Sequence, residues 1–568
     1  MYWKGEYLGS FFALDTETEL IHSPGYIPRI VLTVVSNGKE QYIIKNENMF
    51  VFLNMHKEST IIMHHAPFDI EVLKQAFKFD FSKAIEEDRI LDTRILYLLI
   101  NLAKTGSVPR KSSLAVLAAE YLDIHLDKDA SIREGFGQFL TDDNYVMYDS
   151  IPDEFLRYAL NDVQATWHLY EILIKEVKDI SFKYKVDIDC LLSHKIQLMG
   201  SLALYSIERN GIGFDQKGRL EKLEVLEKEI EEPKRVLLEH GFERGKKGIK
   251  AVYEQIINSL GIQLPKTETG KISSAAEDLK PYSHIPFIKA YMDFHDIEKT
   301  MSFIKEIEVD RLHPRYNNLM ETGRTSSFGP NIQQLPRAGG IRELFVPREG
   351  HVFIDIDYTA LELCTLAQTN IDLFGFSRMA ELINEGRDLH KYAASQIYGV
   401  SEEEVDKQQR HLAKILNFGL GANMSPATFV DYARPFGINL SLKESTTLKN
   451  KWANIFPEMR RFWNVDNHTV NILSSGRIRS RCRYTNYLNT YFQGLAADGA
   501  KIALYSLYKE GYKIAAFIHD QVLIEVESGG NVAEKMLKIQ NIMEKSMQIL
   551  TPDVKIRTEG QITLTFTK

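Results

Sequence analysis

The rhythm of apolar and polar positions changes twice along the chain. Residues 1–185 open with short apolar runs, Phe11–Leu14, Ile30–Val35 and Gln41–Ile44, which read as strands. Leu114–Tyr121 and Glu154–Glu171 are longer and read as helices. Strands first and helices afterwards imply an α/β unit built on a mixed sheet. Between 190 and 310, Leu223, Leu226 and Ile230 recur at i, i+3 and i+7 in a Glu/Lys-rich background, which predicts an amphipathic helix that Pro233 kinks or ends. A second helix and the basic, glycine-punctuated stretch Arg244–Lys250 make this region a helical arm with a charged tip. From 311 onward, strand signals at Val352–Ile356 and Ala515–Val526 flank helical segments, notably Gln408–Met424. The expected architecture is a sheet interrupted by a helical insertion.

Composition narrows the class. At roughly 150 residues per domain, 568 residues suggest about three or four domains. With 44% hydrophobic and 26% charged residues, the chain is not a largely disordered one. No stretch approaches the roughly 18 apolar residues of a membrane span, and the N-terminus does not read as a signal peptide. Cys190, Cys364 and Cys482 are far apart without metal-ligand spacing, so neither a disulfide framework nor a zinc finger is expected, and a reducing cytoplasm fits. A net charge of −8 argues against a protein that coats nucleic acid. A nucleic-acid enzyme is still compatible, because a cleft can be basic locally while carboxylates bind metals elsewhere.

Two carboxylate clusters carry the candidate chemistry. Phe11-Phe-Ala-Leu-Asp15-Thr-Glu17 is an apolar strand running into two acids, and positions i and i+2 share a strand face. The pair is either a solvated strand end or half of a cation site, since adjacent carboxylates repel without an ion between them. Asp69, after an apolar turn, and Tyr158 with Asp162, four apart on a helix face, complete a set of four oxygen ligands and a phenol. Such a set suits Mg²⁺ or Mn²⁺, with Tyr158 orienting an attacking water. The second cluster pairs Asp357, ending the apolar run Val352–Asp357, with Asp520, inside the hairpin-like stretch Phe517–Val522. Asp355 shares a strand face with Asp357, and spacing alone does not say which of the two binds metal. Between the clusters' strands, Arg410, Lys414, Phe418 and Ala422 recur every fourth residue. They form either a solvated basic face or a cradle for a triphosphate with a base or sugar beyond it.

The N-terminal set resembles the three motifs of the DEDDy 3′–5′ exonucleases: Asp15-x-Glu17, Phe68-Asp69 and Tyr158-x-x-x-Asp162, in order. Asp92-Thr-Arg and Ser113–Ala118 also resemble segments of that family, and His65 stands where it usually has Asn. The C-terminal set resembles family A DNA polymerases. Asp357-Tyr-Thr-Ala-Leu-Glu362 is similar to motif A, Arg410-x-x-x-Lys414-x-x-x-Phe418-Gly to motif B and His519-Asp520 to motif C. Thr322-Gly-Arg324, Asp388-Leu-His390, Gly476-Arg477-x-Arg479 and Asn489-x-x-x-Gln493-Gly-x-Ala-Ala-Asp498 fit in order, as do Asn210-Gly-Ile and the 265–273 stretch of a thumb.

The resemblance implies an α/β multidomain chain: an RNase H-like exonuclease domain at 1–187, a mainly helical thumb at 188–320, a palm at 321–370 and 488–568, and fingers at 371–487. It implies a template-directed DNA polymerase that adds dNTPs to a primer 3′-OH by two-metal phosphoryl transfer and proofreads with its exonuclease. Asp357 and Asp520 would hold two Mg²⁺ ions, Mn²⁺ being an alternative. Asp15, Glu17, Asp69 and Asp162 would hold two more. Arg410, Lys414 and His390 would bind the triphosphate, with Lys414 also protonating the leaving pyrophosphate. Phe418 would pack on the nucleotide, Tyr358 would join its contacts, and Glu362 would exclude a 2′-OH. Arg324, Asn489, Gln493 and His519 would contact the DNA. Arg477, Arg479, Arg481 and Arg483, alternating, are either a template-phosphate rail or a solvated edge strand; Lys246, Lys247 and Lys250 either touch duplex backbone or form a soluble tip.

Primer–template DNA and dNTPs are the implied partners, helicase–primase or other replication proteins are candidates, and a membrane-free monomer is expected. With no 5′-nuclease motif preceding residue 1, the layout implies a phage replicative enzyme in the host cytoplasm. Ala360, Cys364, Ala422, Asn423 and Gln521 depart from the family pattern, bearing on template and minor-groove contacts. Two other readings stand beside this one: an exonuclease whose polymerase half only binds DNA, and a polymerase specialised for a modified base.

Overall fold

The computed structural model describes every residue except 127–129, 242–248, 265, 267–269, 337–338, 466–468 and 567–568. Lys246 and Lys247, most of the basic 244–250 stretch and most of the 265–269 segment therefore lie outside the described residues; Lys250 is exposed.

The N-terminal unit is built on strands β1 (Phe11–Thr18), β2 (Ile30–Ser36), β3 (Gln41–Ile44), β4 (Thr60–Met63) and β5 (Ile90–Asp92), in the order β3-β2-β1-β4-β5. β1 pairs antiparallel with β2 and parallel with β4, so the sheet is mixed, as the order of elements implied. Alternation along β1 sends Phe12 and Leu14 into one core and Ala13 into another on the opposite face. Helix α1 (Ala66–Phe77) follows β4, and the long helix α2 (Asp153–Tyr184) crosses β1 and β2, placing Ala159 and Val163 in the same core as Ala13.

Helix α3 (His194–Asn210) is buried along most of its length between the two halves of the molecule. It packs on α1 on one side and on a C-terminal helix and strand on the other. Beyond it lies the arm. Its first helix, Gln216–Glu229, ends at Ile230, and Pro233 sits in the opening turn of the next, Glu231–Glu239. That position is where a proline is tolerated, because its missing N–H would be unpaired anyway. Together with Pro286–Lys305 and Ile249–Ser259, this second helix closes a separate small core around Leu237, Tyr253, Phe287 and Tyr291.

The C-terminal sheet contains β6 (His351–Tyr358), β7 (Lys513–Ile518), β8 (Gln521–Glu527) and β9 (Thr558–Thr563), antiparallel throughout in the order β7-β8-β6-β9. Between β6 and β7 come the helices α4 (Leu361–Phe374), α5 (Leu389–Tyr398), α6 (Lys407–Leu420), α7 (Leu442–Ile455) and α8 (Tyr484–Lys509). This is the helical insertion the sequence pattern predicts. An Asp406–Gln409 capping box starts α6. All three cysteines are free, and among the described residues no helix is long and apolar enough to cross a membrane.

Candidate active sites

Strand alternation builds the first site. Asp15 and Glu17 share the β1 face of Ala13, and α2 lies over that face, so Asp162, one residue before Val163, reaches them. Ligand oxygens of Asp15, Glu17 and Asp162 all lie within 4.8 Å of one another. Asp69, in the first turn of α1, stands beside this trio rather than within it. Its Oδ1 accepts hydrogen bonds from the Thr16 amide at 3.1 Å and the Thr16 hydroxyl at 2.6 Å, which pins α1 to β1 between the two strand acids.

The electrostatics are those of a crowded anionic nest. Burial and then the Asp69 charge push Asp15 well up, and burial with Asp15, Asp162 and Asp69 does the same to Glu17. Burial raises Asp69 to about 7, and burial plus Asp15 raises Asp162 to about 8, against a hydrogen bond from Tyr158. An all-oxygen donor set fits a hard divalent cation, whose charge would offset this repulsion. His65 adopts left-handed backbone geometry (φ 68°) ahead of α1. Its amide donates to Asp92, and its Nδ1 pairs with an Arg94 guanidinium nitrogen at 3.0 Å.

The second site lies at the end of the C-terminal sheet. Asp357 pairs in register with Gln521, so the β7–β8 turn, His519-Asp520, falls next to it. His519 takes the positive φ of 62° that so tight a turn demands. Burial, then the Asp357 charge, raises Asp520 to about 7. Asp357 and Asp520 line one cavity of about 620 Å³ together with Arg324, Glu362, Lys414, Phe418, Gln493 and His519. A neighbouring cavity of about 630 Å³ shares Asp357, Lys414 and Phe418 and adds His390 and Arg410.

The structure separates the two β6 acids that spacing could not. Asp355 is buried, with its oxygens accepting from Gln521 Nε2 at 2.6 Å and Gln561 Nε2 at 2.9 Å. Asp357 is the one that faces Asp520. Gln521 is thus the amide that satisfies Asp355; a carboxylate there would repel it.

On α6, Lys414 and Phe418 are exposed toward the cavities and Arg410 is half-buried, its guanidinium on Asp388 Oδ2 at 2.9 Å. Asp388 caps α5, holding the amides of His390 and Lys391. Burial lowers His390 to about 4, so its imidazole is neutral at pH 7. Asn417 donates to His390 Nδ1 at 2.8 Å, leaving Nε2 as the ring's N–H. Trp452 Nε1 donates to Asn417 Oδ1 at 2.7 Å and fixes the orientation of that amide.

A family profile described as DNA polymerase family A matches residues 221–568, and one described as 3′-5′ exonuclease matches residues 6–178. The chain belongs to DNA polymerase family A. It is a DNA-directed DNA polymerase with an N-terminal 3′–5′ exonuclease domain. It is 25% identical to DNA polymerase I of Aquifex aeolicus over 98% of this chain and 96% of that protein. It is 25% identical to the Borreliella burgdorferi DNA polymerase I over 95% of this chain, but spans only 61% of that longer protein. Among solved structures, the POL domain of Pol1 from M. smegmatis in complex with DNA primer-template and dNTP shares the fold. The TM-score is 0.72 at 20% identity, covering 99% of this chain and 96% of that one. These relatives are bacterial.

Several expectations for this polymerase need correction. Arg477 and Arg479 are not a surface rail. The Arg477 side chain is fully buried against Asp498, and Arg479 is buried, donating to Gly106 O at 3.3 Å and Thr490 Oγ1 at 2.8 Å. The four arginines do not share a face, because the strand is only Ile478–Arg479, Arg481 turns the chain (φ 49°) and Arg483 caps α8. Tyr358 lines both cavities with its ring alone. It is 4% exposed, and its hydroxyl donates inward to Met543 O at 2.9 Å, so it serves as cavity wall. Ala422 is not on the α6 face, since the helix stops at Leu420 and Asn423 is left-handed (φ 59°), bonded to Tyr484 and Lys449.

Asn489 and Gln493 sit a turn apart on the less buried side of α8, and of the two only Gln493 lines the cavity. Sequence reasoning missed Asn417, whose signal is an amide inside the apolar run Ile415–Leu420, a poor place for one unless it is bonded. It also missed the ion pair between Arg324 and Glu362 across the cavity.

Proposed function

We propose that this chain copies a DNA template by adding dNTPs to a primer 3′-OH at the Asp357–Asp520 centre, and that it excises mispaired 3′ ends at the Asp15–Glu17–Asp69–Asp162 centre. The observation that carries the reading is the cavity in which the two strand-end acids face an exposed lysine and phenylalanine on α6. Asp357 and Asp520 would hold divalent ions at one centre, and the four N-terminal acids at the other. When bound, Mg²⁺ or Mn²⁺ supplies charge neutralisation for the phosphoryl oxygens and acidifies the attacking hydroxyl.

The chain's own groups do the rest. Lys414 Nζ and the Arg410 guanidinium meet the triphosphate oxygens, and Lys414 Nζ gives a proton to the departing pyrophosphate. Neutral His390 donates Nε2–H rather than charge. Phe418 packs against the nucleotide, while Glu362, held by Arg324, forms the floor under its sugar and leaves no space for a 2′-OH. Arg324, Gln493 and Asn489 probe the minor-groove edge of the primer–template, where the acceptors common to all pairs allow shape to be tested without reading sequence. At the other centre Tyr158 Oη, hydrogen-bonded to Asp162, orients the attacking water.

The test is incorporation of the single dNTP complementary to the template on a labelled primer. Lys414→Ala should lower kcat by roughly a hundredfold. Incorporation at an unchanged rate in that variant would remove α6 from the site.

A further inference from the structure

Arg477 has no place on the protein surface, yet it lies beneath two elements that line the cavity. Its Nε donates to Asp498 Oδ2 at 3.1 Å. Asp498 also accepts from Ser475 Oγ at 2.7 Å and from Gln197 Nε2, on α3, at 3.0 Å. Lys501, equally buried, donates to Gln197 Oε1 at 2.5 Å and to the Gly323 carbonyl at 2.9 Å.

The guanidinium plane is wedged between two glycines. A Cβ on either Gly323 or Gly494 would overlap it, and one on Gly494 would also press on the Thr322 carbonyl. Gly323 carries a φ of 94°, open to glycine and rarely to other residues. The residues next to these two glycines are Arg324 and Gln493, both of which line the cavity with Asp357 and Asp520. Taking three charges out of water to support two backbone turns is a poor route to stability, because desolvation consumes most of the Coulombic gain. It does fix the spacing of those turns.

We propose that Arg477 is a positioning residue for base-pair recognition. Its guanidinium, held by Asp498, sets the separation of the Thr322–Arg324 turn and α8, and so the distance between the Arg324 and Gln493 side chains that read the primer terminus. This inference rests on the polymerase reading above. Lysine at 477 would keep the charge opposite Asp498 but lose the planar fork that spaces the glycines.

The experiment measures extension of matched and mismatched primer termini in a background carrying Asp15→Ala and Glu17→Ala, so that excision does not interfere. With Arg477→Lys, the ratio of mismatched to matched extension should rise about tenfold. In a background also carrying Arg324→Ala and Gln493→Ala, Arg477→Lys should change that ratio by less than about twofold, since a residue that acts through others has no effect once they are gone. The thermal midpoint and, with Asp15 and Glu17 restored, degradation of single strands report folding. If Arg477→Lys does not fold, the neutral pair Arg477→Met with Asp498→Asn carries the same measurement.

An unchanged ratio in a folded variant overturns the inference while leaving the polymerase reading intact. So does a full tenfold effect in the background lacking Arg324 and Gln493. A parent protein that incorporates no dNTP overturns both.

Discussion

At the scale of single residues, the environment of each carboxylate decides its role. Asp355 and Asp357 are indistinguishable by spacing, both at strand positions of one apolar run that share a face. The distinction comes from Gln521 and Gln561, 166 and 206 residues away in the chain, which occupy the oxygens of Asp355. Asp355→Asn should therefore keep primer extension within about threefold of wild type, whereas Asp357→Asn should lose roughly a thousandfold. Single-turnover incorporation checks this, and equal losses would erase the distinction. Burial of the acids, reinforced by their neighbours' charges, predicts a pH dependence of stability. Asp69 and Asp520 titrate at about 7 and Asp162 at about 8 in the fold, above the roughly 4 of an unfolded aspartate. Between those limits the native state binds more protons than the unfolded chain. The stability these groups contribute is complete below about pH 4 and is lost as pH rises through 7 to 8. In chelator the melting temperature should fall from pH 5 to pH 8, and the gain on adding Mg²⁺ should be larger at pH 8. A gain independent of pH would show that these acids do not meet the ion.

At the scale of elements, period-2 and period-3.6 patterns were legible where one face meets a core. The β1 alternation, the break at Pro233 and the β7–β8 hairpin could all be read because each depends on neighbours a few residues away. The 477–483 segment could not be. Its alternating arginines suggest an extended edge, but Arg481 turns the chain, and the segment docks on the N-terminal unit through Gly106 and Leu102. Nor could the end of α6 be read, since a four-residue spacing persists through Ala422 while the helix stops two residues earlier. Contacts between elements were equally invisible, and the Asn417 bridge from α6 to α5 and α7 is one of them. Asn417→Ala would strand Trp452 Nε1 and release His390, costing about 1–3 kcal/mol of stability. It should raise KM for dNTP severalfold with little change in kcat. Denaturant unfolding and steady-state kinetics test the two parts separately.

At the scale of the whole molecule, the two centres belong to units joined by buried polar contacts. His194 of α3 accepts from the Asp92 amide at 2.8 Å, and Glu71 of α1 pairs with Arg209 at 2.6 Å and with Tyr508 of α8. Sequence reading assigned α3 to the start of the helical arm, because a buried helix and an arm helix share one periodicity; its burial between the units shows only in three dimensions. Calorimetry should find the N-terminal unit and the C-terminal sheet melting in one transition, since separating them would strip α3 of one of its two packed faces. Two well-separated transitions would contradict this.

In the proposed function two carboxylate centres act independently on one DNA end. One labelled primer–template, incubated with and without dNTPs, tests it against Asp357→Asn and against Asp15→Asn with Glu17→Gln. The first variant should shorten the primer with extension cut roughly a thousandfold, and the second should lengthen it without shortening it. A primer that still grows at the wild-type rate with Asp357→Asn, or a single substitution set that abolishes both reactions in a folded protein, would contradict it.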